Sequence, residues 1–192
     1  NVGSLANANY DITFVPANLT ITQRPITVTA AAKSKEYGAS DPTLTYSVTT
    51  GSLVGSDSLS GALTRVSGDA VGTFAILRGT VDSTNYDITY VGALLTISQR
   101  PITVTADAKT KEYGATDPTF TYAISSGSLV GADSLSGSLG RASGANVGTY
   151  ALNIGTLANA NYDITFVPAN LTISQRPITV TADAATKQYG AS

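Results

Sequence analysis

Residues Gln99–Ala106 read QRPITVTA, and the same eight residues stand at Gln23–Ala30 and Gln175–Ala182. Inside this stretch Ile, Val and Ala alternate with two threonines, which is the two-residue period of a strand with one buried face. Proline is tolerated as the first residue of a strand, so Pro101 can open this one. The octapeptide therefore predicts the first strand of a β module and marks where each module starts.

The octapeptide recurs every 76 residues, as the prolines at positions 25, 101 and 177 show. This spacing defines two complete repeats, 25–100 and 101–176. They are flanked by the C-terminal part of a preceding repeat, 1–24, and the N-terminal part of a following repeat, 177–192. A period this long exceeds that of a solenoid repeat and suits a small domain with its own core. We expect a string of such domains, belonging to a longer array.

The composition removes most catalytic chemistry. The 192 residues include no His, Cys, Met or Trp, 12% of them are charged, and the net charge is -2. The chain therefore has no imidazole base and no thiolate nucleophile, and any metal site would have to be built from oxygen ligands. We predict that the protein is not an enzyme and needs no cofactor.

Two classes of partner are also disfavoured by the sequence. Lys and Arg total 11 and form no basic run, which argues against nucleic acid. No apolar segment approaches the roughly 20 residues that a membrane helix needs. We predict neither nucleic-acid binding nor a membrane span in this segment.

Five further segments of the second repeat show alternation or turn signals that predict strands. They are Phe120–Ile124, Ser136–Arg141, Val147–Ile154, Asn161–Phe166 and Asn170–Ser174, of which the last two are either separate strands or one long bent strand. Between them, Ser128–Leu135 lacks alternation and predicts a single helical turn, with Asp133 as its cap. The pattern predicts a mostly β fold of small antiparallel modules. Immunoglobulin-like β-sandwich modules are the alternative fold.

Each repeat passes to the next without a flexible linker. The last predicted strand of the second repeat continues through Gln175 and Arg176 to Pro177, with no Gly in the passage. A junction of this kind is stiff by the standards of linkers, so we predict an extended rod. The predicted junction residues are Gln23, Arg24, Pro25, Gln99, Arg100, Pro101, Gln175, Arg176 and Pro177.

The most distinctive motif is a Tyr-Gly pair followed shortly by an Asp-Pro pair. It comprises Tyr37, Gly38, Asp41 and Pro42 in the first repeat and Tyr113, Gly114, Asp117 and Pro118 in the second. Asp41 and Asp117 are candidate calcium ligands, since Ca²⁺ takes carboxylate and carbonyl oxygens. Each has only one Glu nearby, so a turn fixed by Asp and Pro is the favoured interpretation. The tyrosine is expected to cover the end or the core of a module.

Four motifs follow one another in the second repeat, and the first repeat carries them with few changes. They are EYGATDP at 112–118, GSLVGADSLSG at 127–137, VGTYA at 147–151 and NYDIT at 161–165. Together they resemble the MBG repeats of the YGX type, a family found in very large secreted and surface-attached bacterial proteins, including filamentous-haemagglutinin-like adhesins. The resemblance implies a small β module, with the β-grasp as its candidate fold, used in tandem as a stalk or spacer, with no catalytic or ligand residues to transfer. The third copy departs from the pattern, with Ala185 and Gln188 in place of Lys and Glu.

We therefore expect a structural stalk or spacer of a large extracellular adhesin or fibre on the bacterial cell surface. Its partners would be the neighbouring repeats and other copies in a fibre, because exposed strand edges can pair. A glycan or host-surface ligand would bind elsewhere in the parent protein. The alternative function is a carbohydrate- or host-protein-binding module. Substitutions between the repeats concentrate at 138–146 and 153–160, as that alternative predicts, although loops also drift neutrally.

Overall fold

The computed structural model describes residues 3–190, and every regular element in that range is a β-strand. The strands of the first repeat are β1 (Arg24–Ala30), β2 (Lys33–Glu36), β3 (Tyr46–Thr50), β4 (Thr64–Arg65), β5 (Gly72–Leu77), β6 (Tyr86–Val91) and β7 (Ala93–Ser98). Those of the second are β8 (Arg100–Ala106), β9 (Lys109–Glu112), β10 (Tyr122–Ser126), β11 (Gly140–Arg141), β12 (Gly148–Asn153), β13 (Tyr162–Val167) and β14 (Asn170–Ser174). The predicted mostly β fold of tandem modules is confirmed.

The two repeats share one topology. The first repeat has a three-stranded sheet of order β3-β1-β6 and a four-stranded sheet of order β2-β7-β5-β4. The second repeat has the sheets β10-β8-β13 and β11-β12-β14-β9. The strand that contains the proline of the octapeptide, β1 or β8, is thus the central strand of the smaller sheet in each repeat.

The strand pairing corrects the expectation of antiparallel modules, because the sheets are mixed. In the second repeat β8 pairs antiparallel with β10 but parallel with β13, and β14 pairs parallel with β9. In the first repeat β1 likewise pairs parallel with β6. Alternation fixes which face of a strand is buried and carries no information about which strand lies beside it, so the parallel pairs were not predicted.

Burial along β8 follows the predicted period. Ile102, Val104 and Ala106 are 2%, 0% and 5% exposed, while the two threonines between them are half-buried. In the parallel register, Ile102 lies opposite Ile164 and Val104 opposite Phe166. The octapeptide thus supplies one wall of the core of its repeat.

The core of the second repeat is shared by its two sheets. Buried side chains from β8 in the smaller sheet cluster with side chains from β12 and β14 in the larger one. Its buried members are Ile102, Val104, Ala106, Leu139, Leu152, Leu157, Tyr162, Leu171 and Ile173. Side chains from both sheets therefore line one apolar core.

The first repeat has equivalent buried clusters. One gathers Ala30 from β1, Ile76 from β5 and Leu95 from β7, together with two buried loop residues. A second is formed by β1 and β6 and includes Tyr86, which is 3% exposed. Buried apolar side chains from both sheets therefore stabilise this repeat as well.

Two details of the predicted elements are wrong. No helix occurs among residues 3–190, and Ser128–Leu135 is a loop whose two leucines pack on the core while Asp133 bonds to tyrosine. Lys109–Glu112, for which no strand was predicted, is strand β9, and the turn follows it. Its alternating lysines carry no apolar signal, so the strand could not be recognised from hydrophobic periodicity.

The chain forms two compact units, and the boundaries of these units do not coincide with those of the repeats. Unit 1 comprises Asn1–Lys33, Pro42–Gly68 and Thr73–Leu95. Unit 2 comprises Ser34–Asp41, Asp69–Gly72 and Thr96–Ser192. Unit 2 thus contains the Tyr-Gly motif of the first repeat together with the whole second repeat. The domain boundaries inferred from the prolines stay predictions.

Candidate functional site: the contact between repeats within unit 2

The Tyr-Gly motif forms a tight turn at the end of β2. The amide of Ala39 donates a hydrogen bond to the carbonyl of Glu36 at 3.0 Å, and Gly38 has a φ of 79°. A β-turn of this type needs a residue with positive φ at its third position, which glycine adopts without strain. The amide of Tyr37 donates to the carbonyl of Ser98 at 2.9 Å, so the turn is held to the end of β7. We call residues 36–41, and their counterparts 112–117, the docking loop.

A lysine whose side chain is largely covered holds each docking loop in shape. Lys35, whose side chain is 8% exposed, donates to the carbonyl of Ala39 at 3.0 Å and lies 2.7 Å from a carboxylate oxygen of Asp41. Lys111 makes the same contacts with Ala115, at 2.9 Å, and with Asp117, at 2.7 Å. Charge-assisted bonds to a nearly buried ammonium are stronger than neutral ones, so the loop is ordered before it meets a partner.

The two calcium candidates lie in these ion pairs. Asp117 accepts hydrogen bonds from Arg141 and Lys111, which lower the pKa of its carboxyl. Asp41 lies beside Lys35. Among residues 3–190 no three acidic residues gather in a way that could hold a metal ion. A calcium ion at Asp117 would have to displace two cationic side chains, so the geometry gives the calcium hypothesis no support.

We expect calcium to leave the stability unchanged. The carboxylate of Asp117 is already bonded to two cationic side chains. A calcium ion would gain little binding free energy where it must displace them. The measurement is the thermal unfolding midpoint in millimolar CaCl₂, with the same concentration of MgCl₂ as control. A midpoint that rises with calcium alone would restore the calcium hypothesis.

The docking loop of the first repeat binds the second repeat. The hydroxyl of Tyr37 donates to a carboxylate oxygen of Asp133 at 2.9 Å. The ring of Tyr37 meets the ring of Tyr162 edge to face, with 5.6 Å between centroids and an interplanar angle of 79°. This is a favoured aromatic geometry, in which the positive edge of one ring faces the negative face of the other. Tyr37 thereby packs against the core cluster of the following repeat.

Asp133 and Tyr162 form the polar centre of the surface that receives Tyr37. Tyr162 is 3% exposed, and its hydroxyl donates to the same carboxylate oxygen of Asp133 at 2.6 Å. That hydroxyl also accepts a hydrogen bond from the amide of Val130 at 2.8 Å. The carboxylate is therefore fixed in place by Tyr162 and presented to Tyr37. We call Val130, Asp133, Asn161 and Tyr162 the receiving site.

Two further contacts complete the docking. A Cβ atom on Gly38 would lie 2.3 Å from Cγ2 of Val130, so only glycine allows the loop this close. The amide of Val71, from another loop of the first repeat, donates to the side-chain oxygen of Asn161 at 3.2 Å. The close approach thus requires the glycine of the Tyr-Gly pair, and the Val71 amide adds a second point of attachment.

The tyrosine hydroxyls of the site titrate at higher pH than usual. The hydrogen bond to Asp133, followed by burial, raises the pKa of Tyr37. Burial, followed by the hydrogen bond to Asp133, raises the pKa of Tyr162. Burial disfavours the charged tyrosinate, and a tyrosinate beside a carboxylate is in addition repelled and loses its hydrogen bond, so both causes raise the pKa.

The raised pKa of Tyr37 predicts how the stability contributed by this contact depends on pH. A group whose pKa is higher in the folded than in the unfolded protein stabilises the fold fully below the unfolded pKa, which is about 10 for tyrosine. This contribution is lost as the pH rises through the folded pKa. The difference in unfolding free energy between the wild type and Tyr37→Phe should therefore be constant from about pH 7 to 9 and shrink above about pH 10. Denaturant unfolding across that range measures it, and a difference that grows at high pH would contradict the assignment.

The predicted junction residues are anchored to the repeat that follows them. The side-chain amide of Gln99 donates to the carbonyls of Ala160 and Tyr162 at 3.1 and 3.2 Å. The amide of Arg100 donates to the carbonyl of Asn161 at 3.0 Å, and Pro101 lies in β8 opposite Asp163.

The earlier copy of the junction makes equivalent contacts. Gln23 donates to the carbonyl of Thr84 at 3.1 Å, and the amide of Arg24 donates to the carbonyl of Asn85 at 3.0 Å. Pro25 lies in β1. Of the last copy, Gln175 and Arg176 border Tyr113, and Pro177 lies outside any strand.

Tyr37 is recognisable in the sequence as part of a distinctive motif, whereas its partners are not. Tyr37 was expected to cover a module, and the structure places it on the following repeat. Asp133 was interpreted as a helix cap, and Tyr162 only as part of the predicted strand Asn161–Phe166. The signal that could have identified them is that both recur one period earlier, as Asp57 and Tyr86. Pro42 and Pro118 directly follow the two docking loops.

These elements define a class: a tandem-repeat protein of small β modules in which a loop of one repeat docks on the next. The family model for the MBG domain of YGX type matches residues 26–96 and 102–172, which together make up well over half of the chain. The chain belongs to this MBG domain family. No curated protein matches the chain. No helix long and apolar enough to cross a membrane occurs among residues 3–190.

Proposed function

We propose that these repeats form the structural stalk or spacer of a large extracellular adhesin or fibre on a bacterial cell surface, without catalysis. The observation that carries the proposal is the contact of Tyr37 with Asp133 and Tyr162. It joins consecutive repeats by side chains as well as by the peptide chain. Membership of a repeat family of this kind supports the same function.

The docking contact gives such a stalk a mechanical basis. A short linker alone leaves neighbouring domains free to bend about it. A second attachment, made through a loop that Lys35 holds in shape, restricts that bending. Successive repeats so attached would extend the chain as a rod, with exposed Thr and Ser side chains keeping it soluble.

Small-angle scattering on chains with two and four complete repeats tests the proposal. The maximum dimension should grow in proportion to the number of repeats. The matched control carries Tyr37→Ala at the docking loop and its equivalents, and its scattering should show a broader distribution of dimensions. A maximum dimension that does not grow from two to four repeats would refute the stalk.

A further inference from the structure

The first two strands of the second repeat, β8 and β9, run parallel to its last two, β13 and β14. β8 pairs with β13 over six residue positions, and β9 pairs with β14 over four. Partners are 62 residues apart in both pairs, as Arg100 with Tyr162 and Lys109 with Leu171 show. The two segments therefore keep one register, although each of them changes sheet partway along. We call this pairing of 100–112 with 162–174 the terminal ladder.

The chain enters the terminal ladder at one end and leaves it at the other. Gln99 leads into Arg100, which pairs with Tyr162 at the first position of the ladder. The chain continues from Ser174, which pairs with Glu112 at the last position. Tension along the chain therefore pulls the two parallel segments in opposite directions along their own axes. Such a pull loads the evenly spaced bonds of a parallel pair together, in shear, whereas a pull that separates the strands at one end breaks them one at a time.

Additional hydrogen bonds close the ladder at both of its ends. At the entry end, the side-chain amide of Gln99 donates to the carbonyls of Ala160 and Tyr162 at 3.1 and 3.2 Å. At the exit end, the amide of Tyr113 donates to the carbonyl of Ser174 at 2.8 Å. Strand separation would have to begin at one of these ends. The extra bonds thus lie where the load is applied.

The first repeat has the same arrangement. β1 pairs in parallel with β6 over six positions, again with partners 62 residues apart, and β2 lies beside β7 in the other sheet. Gln23 donates to the carbonyl of Thr84 at 3.1 Å at the entry end, and the amide of Tyr37 donates to the carbonyl of Ser98 at 2.9 Å at the exit end. Since β7 ends at Ser98 and β8 begins at Arg100, tension passes from one ladder to the next through a single residue.

We propose that the terminal ladder makes each repeat a shear-loaded unit that carries tension along the chain, and that Gln23 and Gln99 anchor the ends at which the load enters. The inference rests on the proposed stalk function, since only a tethered chain is under tension, and it adds the kind of load that the stalk carries. The docking contact between repeats restricts bending, whereas the ladder within each repeat resists extension. Because the ladder consists mainly of backbone bonds, it tolerates the sequence differences between the repeats.

The first test compares two directions of pull on the second repeat by single-molecule force spectroscopy. The chain has no cysteine, so one introduced cysteine fixes the point of attachment, and a second handle is placed at the C-terminal end of the chain. With Thr96→Cys, force loads the terminal ladder along its length. With Thr116→Cys, force separates the ladder from its exit end. Both threonines are exposed, so the substitutions leave the cores intact.

At one loading rate, we expect an unfolding force about twofold higher with Thr96→Cys than with Thr116→Cys, because forced unfolding follows the unfolding rate and the shear pull must break many bonds at once. The same repeat and the same C-terminal handle serve in both measurements, so thermodynamic stability is common to them. A force with Thr96→Cys that is equal to or lower than the force with Thr116→Cys would overturn the proposal.

The second test removes one anchor. Gln99→Ala should lower the unfolding force measured from Thr96→Cys by roughly a quarter, because two bonds at the loaded end are lost. It should leave the force measured from Thr116→Cys unchanged, since that pull begins at the other end. The matched control is Gln23→Ala, which lies outside the loaded segment and should change neither force. Equal losses in both directions, or no loss in either, would overturn the assignment of Gln99 as an anchor.

The pulling tests and the scattering experiment fail independently. A higher force along the ladder, in a chain whose maximum dimension does not grow with repeat number, would keep the shear-loaded unit and remove the stalk. A growing dimension with equal forces in the two directions would keep the stalk and remove this inference.

Discussion

Replacing Leu171 with alanine is expected to lower the free energy of unfolding of the second repeat by about 3–5 kcal/mol. Leu171 is 0% exposed and lies in the core cluster between the two sheets. It sits on β14, which pairs with both β12 and β9, so neighbouring backbone cannot easily collapse into the space left behind. The loss therefore includes both the transfer of the leucine from water and the cavity.

Leu95 provides the matched test in the first repeat. It occupies the equivalent position, is also 0% exposed, and belongs to a buried cluster of the first repeat. Hydrogen exchange resolved by residue should show that each substitution lowers protection mainly in its own repeat. Leu94→Ala, at a residue that is 50% exposed, should change little. If both core substitutions lowered protection equally throughout the chain, the idea of separate cores would be contradicted.

The octapeptide shows which features of the fold can be predicted from the sequence and which cannot. Alternation in Gln99–Ala106 correctly predicted a strand and its buried face, because burial of one face imposes a period of two. It could not predict that β13 pairs with this strand in parallel, since pairing depends on the path of the whole chain. Strand β9 was missed because its four residues are all polar and it is held by backbone pairing with β14.

The docking contact could likewise not be predicted from local sequence patterns. Tyr37 and Asp133 are separated by 96 residues, so no local pattern connects them. Each residue also had a sufficient local explanation: a tyrosine that covers a module, and an aspartate that caps a turn. Only the fold brings the loop of one repeat to the surface of the next. Comparing equivalent positions of the two repeats reduces the number of candidate site residues, because Asp57 and Tyr86 are the same residue types as Asp133 and Tyr162.

Replacing Tyr37 with alanine is expected to lower the thermal unfolding midpoint of the second repeat by roughly 5–10 °C. The substitution removes the hydrogen bond to Asp133 and the edge-to-face contact with Tyr162. It also exposes part of a core to which Tyr37 contributes from the preceding repeat. Bonds to a carboxylate and aromatic pairs each contribute measurably to stability, and here one side chain makes both.

The control for this prediction is Tyr113→Ala, because both tyrosines stand in the same turn of the same motif. Their loops are held by equivalent lysines, Lys35 and Lys111, so any loss of loop stability is common to both variants. Only Tyr37 has a receiving site within the described part of the chain, so in dilute solution the difference between the two midpoints measures docking alone. Equal midpoints would mean that the tyrosine stabilises its own loop, and the coupling of one repeat to the next would then rest on the Gln-Arg junction.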